Sequence, residues 1–211
     1  MITPPHAPGL PAQLDTWDEG VDSNLEIDRA LVRGADFSSV AKLYIDSSKL
    51  DNVALTGADL EKLECADTVI TKLEAAALRA YKANLLRVVL NDSRLTGAEF
   101  AETHFEDCVF KNVKFDDVGF RFATFKRVRF ENCILRAADF SNAQLAHVTF
   151  SGCDLEAANF ISAECKGVDI SSEDLTTIKG VLGLKGASIS TEQLIQLAPL
   201  LATELGFKVI S

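Results

Sequence analysis

Residues 110–130 read FKNVKFDDVGFRFATFKRVRF, with phenylalanine at 110, 115, 120, 125 and 130. Phe105 and Phe100 keep the same step toward the N-terminus. A strand repeats every two residues and a helix every 3.6. In a strand, an odd step of five would send successive rings to opposite faces. In a helix, five residues advance about 140°, so the rings would spiral around the axis. Neither element can gather all seven rings into one core, so the chain must change direction between them.

The step extends in both directions. Positions 45, 50, 55 and 60 are Ile, Leu, Leu and Leu, positions 135 to 160 alternate Leu and Phe, and the beat ends at Ile170 and Leu175. Cys65, Ala75, Ala80 and Cys165 are the small exceptions. Two residues before each centre lies a second, smaller residue, as at Ala98, Thr103, Cys108, Val113, Val118, Ala123 and Val128. The remaining positions are mostly polar. Each quintet thus buries one small and one large side chain at strand spacing and then turns. Such a chain winds into a three- or four-sided tube whose coils pair edge to edge, about 4.8 Å apart. Each coil contacts mainly its neighbours, which defines a solenoid.

Charge decides between three sides and four, because stacked residues favour opposite signs. At an offset of 20 residues between positions 42 and 174, twelve pairs are opposite and four alike. They include Asp59/Arg79, Asp67/Arg87, Glu106/Lys126, Asp107/Arg127, Lys111/Glu131 and Asp116/Arg136. At an offset of 15 the balance reverses, to six opposite and twelve alike. Four sides are expected, giving nearly seven coils and a rod of roughly 30–35 Å.

The quintets ADLEK (58–62), AEFAE (98–102), ADFSN (138–142), CDLEA (153–157) and ANFIS (158–162) resemble the A(D/N)LXX signature of pentapeptide-repeat proteins. That resemblance covers about Ala35 to Leu175. It implies an all-β solenoid, a right-handed quadrilateral β-helix of pentapeptide repeats. It further implies two functional readings. One is a rigid non-catalytic rod that binds a protein partner. The other, known from some members, is an acidic mimic of duplex DNA that binds DNA gyrase or topoisomerase IV and protects it from quinolones or toxins. In related proteins the C-terminal region can also make a homodimer.

Three segments are expected: a Pro-rich arm (1–22), the β-helix (23–177) and a helical cap (178–211). The arm reads MITPPHAPGLPAQLD, lacks the basic start and apolar core of a signal peptide, and is read as disordered or extended. Near its junction, Leu25/Ile27, Ala30/Val32 and Ala35/Phe37 follow the small–large rule in another phase, so a bulge or short loop is expected within Ser38–Lys42. The run Ser190-Thr-Glu-Gln193 is a capping box. The helix after it should bury Leu194, Ile195, Leu197, Ala198 and Leu201. Pro199 should kink it or begin a second helix. An open β-helix end exposes unpaired backbone, which this helix would cover.

The 211 residues carry a formal net charge of −10 and a pI near 4.8. That balance argues against direct nucleic-acid or anionic-membrane binding, and no apolar run approaches the about twenty residues of a membrane helix. Five cysteines without CxxC or zinc spacing point to free thiols and the cytoplasm. His104 and His147 sit about two coils apart, too far to share a metal. Carboxylate pairs such as Asp116-Asp117 lie on a convex surface with no cleft. No catalytic, cofactor or metal site is therefore expected. The arginine-rich stretch 121–136 is a belt around one coil, neutralised by carboxylates of the coil before it.

Two candidate interaction surfaces remain. Val69, Val89 and Val109 recur at one outward position. The column fits a good strand surface, a seat for the Pro-rich arm with Trp17, or a partner site. Asp116, Asp117, Asp154, Glu156, Glu173 and Asp174 bias one side toward negative charge. The cap residues Leu194, Ile195, Leu197 and Leu201 form the candidate dimer element.

Overall fold

The structure, a computed structural model, describes residues 2–18 and 20–208. Its strands form one continuous parallel ladder wound into a β-solenoid of about eight turns. Pairing is in 20-residue register throughout the body. Leu85 lies over Cys65, Phe105 over Leu85 and Phe125 over Phe105. The longest strands are Lys62–Thr71, Asn84–Asn91, Thr124–Glu131 and Gln144–Ser151.

The phenylalanines stack in columns inside the tube, as the five-residue step requires. Phe100, Phe120, Phe140 and Phe160 follow one another at centroid distances of 6.0, 5.2 and 5.1 Å. Phe110, Phe130 and Phe150 form a second column at 5.1 and 5.0 Å. Phe105 and Phe125 stack at 4.8 Å. Off the beat, Phe122 is 58% exposed. Toward the N-terminal half the core is built of Leu and Ile. There an apolar void of about 50 Å³ persists, lined by Leu43, Cys65, Leu78 and Phe105 among others. Small hydroxyls are accommodated by bonding to backbone: Ser48 and Ser93 donate to the carbonyls of Asp46 and Asn91 and accept the N–H groups of Ala30 and Leu73.

Corners are made by a left-handed residue two positions after a centre. Asn112, Asp117, Phe122, Arg127 and Asn132 have φ of 54, 54, 59, 53 and 52°. Asn, Asp and Gly visit this region most readily. The solenoid also imposes it on Lys72, Arg87 and Phe122.

Both ends differ from expectation. In the first coil Asn24 pairs with Lys42 and Val32 with Leu50, an 18-residue register. Where the next coil buries Ala58 and Leu60, this one buries Val40 alone. The expected bulge or loop at Ser38–Lys42 is thus corrected: two residues are missing there and none is looped out. Pairing also runs wider than 23–177. Asp15–Thr16 adds to Ala30–Leu31, and Ala187–Ser188 adds to Val168–Asp169. Trp17 packs edge-on against Phe37 at 5.7 Å, covering the open N-terminal core.

At the other end a 3₁₀ turn, Val181–Leu184, and helix α1, Thr191–Glu204, close the tube. Two glycines permit the close approach. A Cβ on Gly183 would meet the Phe160 carbonyl oxygen at 1.8 Å, and one on Gly180, at φ 73°, would meet the Ile161 nitrogen at 2.4 Å. Ser190 and Gln193 form the capping box, Ser190 Oγ accepting from Gln193 N at 3.1 Å and Gln193 Oε1 from Ser190 N at 2.7 Å. The helix runs through Pro199 as one element, so no second helix begins there. Pro199 and Ile195 lie on the solvent side, where the carbonyl left without an N–H donor faces water.

Candidate interaction surface

Val69, Val89 and Val109 stand in direct register on neighbouring coils, with Lys49 before them and Arg129 and Thr149 after. All three are half-buried. Trp17 is occupied at the N-terminal end against Phe37, so it does not cover this column.

The acidic candidates separate when placed in the structure. Asp117 is exposed and Asp116 half-buried. Arg136, the expected partner of Asp116, turns to the following coil instead, reaching Asp154 at 2.6 Å and Glu156 at 3.6 Å. Arg136 thus offsets one of the two charges of Asp154 and Glu156, chiefly that of Asp154. Lys111/Glu131 forms no ion pair either, since Glu131 takes Arg129 at 3.0 Å. Glu173 corrects the expectation outright: it is only 6% exposed. Its carboxylate accepts the Cys153 N–H at 2.8 Å and the Ser172 hydroxyl at 2.7 Å, closing the last coil. Asp174 accepts from the Thr176 backbone and hydroxyl, and these donors hold its carboxyl below the usual range.

The strongest electrostatic feature lies on a corner. Arg127 forks onto Asp107 through Nε at 2.6 Å and Nη2 at 2.7 Å, and also reaches Glu106. Glu106 further takes Lys126 at 2.7 Å. Lys126, with Arg127 and His104, brings the Glu106 carboxyl down to about 2 against the opposing effect of burial. Burial works against charge on Asp107 too, yet Arg127 and His6 outweigh it and hold that carboxyl well below its usual range. One turn away, Arg87 grips Asp67 through Nε at 2.7 Å. Charge on this surface is chequered from coil to coil, and the basic belt at 121–136 belongs to that pattern.

The cap is the most apolar exposed region. Gln193 and Leu197 face inward, four residues apart. Gln193 Nε2 donates to the carbonyls of Ile170 and Glu173 at 2.7 and 2.6 Å, and Leu197 is 2% exposed. Leu201 is partly buried against the core. Leu194 and Ile195 do not join them. They are 51% and 71% exposed, because the inward stripe is set by Gln193 rather than by Leu194. Leu182, Leu205 and Phe207, in the same C-terminal segment, are also exposed large apolar side chains.

Chemistry elsewhere is sparse. Cys65, Cys108, Cys133, Cys153 and Cys165 are free thiols. Burial pushes Cys65 and Cys108 up to about 12 and Cys165 up to about 11, away from the nucleophilic thiolate. Among the described residues, no group of three or more His, Cys, Asp or Glu side chains could hold a metal ion. No helix among them is long and apolar enough to cross a membrane.

This geometry defines a class, the four-sided pentapeptide solenoid. Residues 83–160 match the family model described as pentapeptide repeat region. Over those residues the chain carries a pentapeptide-repeat region. Similar solved structures include a trypsin-treated variant of QnrB1, described as a plasmid-mediated fluoroquinolone resistance protein. It shares 14% identity over 88% of this chain and 99% of that chain, with a TM-score of 0.49. HetL, a pentapeptide repeat protein involved in heterocyst differentiation regulation from the cyanobacterium Nostoc sp. strain PCC 7120, shares 18% over 78% and 87%, with a TM-score of 0.32. Rfr23 from the cyanobacterium Cyanothece 51142 shares 15% over 78% and 91%, with a TM-score of 0.18. No curated protein matches in sequence.

Proposed function

We propose that the chain is a non-catalytic protein-interaction rod that works in the cytoplasm, where its five free thiols stay reduced. The observation that carries this reading is the division of its surface. The flanks are charge-paired and rigid, whereas the C-terminal end presents Leu182, Leu194, Ile195, Leu205 and Phe207 to solvent. Exposed apolar groups gathered at one place mark association sites. The first occupant of that end is a second copy, giving an end-to-end homodimer, while the flanks remain available to a protein partner.

Sedimentation velocity checks the dimer. The wild-type chain should sediment as a dimer and Ile195→Glu as a folded monomer, since Ile195 is 71% exposed in the single chain and is not needed for its core. A wild-type monomer would leave the helix as a lid only.

The second reading, a DNA mimic acting on a type II topoisomerase, draws on the net charge of −10 and the rod shape. Pairing of Asp59 with Arg79, Asp67 with Arg87, and Glu106 and Asp107 with Arg127 counts against it, since a duplex mimic needs an unbroken acidic strip.

A further inference from the structure

The N-terminal arm lies along one corner of the solenoid and is held by a repeating set of contacts. The Gly9 N–H donates to Asp67 Oδ1 at 2.7 Å and the His6 N–H to Asp107 Oδ1 at 3.0 Å. The Thr3 N–H meets His147 Nδ1 at 3.5 Å. The His6 ring Nδ1 lies 2.9 Å from the same Asp107 oxygen. Asp67, Asp107 and His147 belong to one column, two coils apart from each other. Between them stand Arg87 and Arg127, which offer no acceptor to an N–H group.

The spacing is a match of two lattices. Two coils advance about 9.6 Å. Three residues of polyproline II advance about 9.3 Å and make one full turn, so every third residue faces the same way. A β-strand has nearly the same rise but a period of two, and would not aim residues 3, 6 and 9 at one surface. The sequence obeys the three-residue rule: Pro4, Pro5 and Pro8 avoid positions 3, 6 and 9, whose N–H groups point at the corner. Proline supplies the conformation, and the residues between supply the donors.

The seat is built and the strap is lightly held. Asp107 is 5% exposed at its side chain and oriented by the Arg127 fork. The arm itself stays largely in solvent, with Pro4, His6, Ala7 and Gly9 exposed. We propose that this corner is a binding site for an extended, proline-rich peptide segment of a partner protein, with a non-proline residue at every third position. The chain's own arm occupies it in cis as a displaceable strap. The existence of an outside ligand rests on the interaction-rod reading. The site and its strap do not, and their test involves no outside partner.

The test uses the full chain with His6→Pro and Gly9→Pro together. These substitutions remove both N–H donors to the aspartates and favour the same extended backbone, leaving the solenoid untouched. The probe is a fluorescein-labelled peptide of residues 2–12, ITPPHAPGLPA, followed by anisotropy. It should bind the substituted chain at least ten times more tightly than the wild-type chain, whose site is already filled. A peptide carrying the same two prolines should bind neither. Equal affinity for both chains, or no binding to the substituted chain at millimolar peptide, overturns the proposal. So does a wild-type dimer that the two prolines convert to monomer, which would mean arms exchanged between copies.

Discussion

Replacing Phe120 by alanine should lower the unfolding free energy by about 4 kcal/mol, measured by urea titration. Phe120 is fully buried and touches rings on three successive coils. Phe100, Phe105, Phe115, Phe125 and Phe140 have centroids at 6.0, 5.7, 5.6, 5.3 and 5.2 Å. Its loss removes transfer free energy and leaves a hole that rigid, hydrogen-bonded coils cannot collapse to fill. Two residues on, Phe122→Ala should change stability by less than about 0.5 kcal/mol, because that ring is 58% exposed. Alanine already occupies the same left-handed corner position at Ala77 and Ala137. A similar cost for both would contradict the five-residue account of the core.

The second large effect is at Arg127. Arg127→Met should cost about 3 kcal/mol near neutral pH, because it leaves the nearly buried Asp107 carboxylate without its fork. The pH dependence has a definite sign. Asp107 and Glu106 have carboxyls held below their ordinary values, with Glu106 near 2. Their contribution is therefore complete above the unfolded values, about 4. It is lost as pH falls through the folded ones. The gap between wild type and variant should narrow as pH falls from 5 toward 2, since a protonated Asp107 no longer needs the guanidinium. A gap that stays constant across that range would show that Arg127 acts through packing alone.

Much of this molecule is legible in its sequence because a solenoid repeats one local rule. The beat at Phe100 to Phe130 defines the core columns, and the opposite charges 20 residues apart define four sides. Where the local rule stops, so does legibility. The left-handed corners at Lys72 and Phe122 carry no glycine or asparagine to announce them, because the wound coils on either side impose the conformation. Glu173 looked like surface charge until the last coil left the Cys153 N–H in need of an acceptor. Leu194 and Ile195 looked like the inward face of the cap because an apolar stripe usually faces the core. Gln193 faces inward instead, where its amide donates to the carbonyls of Ile170 and Glu173 and ties the helix to the last coil. The arm's seat had a signal in the sequence, the three-residue spacing of positions free of proline. It becomes readable only when the two-coil spacing of Asp67, Asp107 and His147 is laid beside it.

The central functional claim is that a charge-paired rod binds proteins as a scaffold and does not imitate duplex DNA. A DNA gyrase supercoiling assay, with and without a quinolone, tests it most directly. At micromolar protein, supercoiling and its inhibition by the quinolone should both be unchanged. Inhibition of supercoiling, or protection from the quinolone, abolished by Asp116→Lys with Asp117→Lys, would contradict it and establish the acidic side as a duplex mimic.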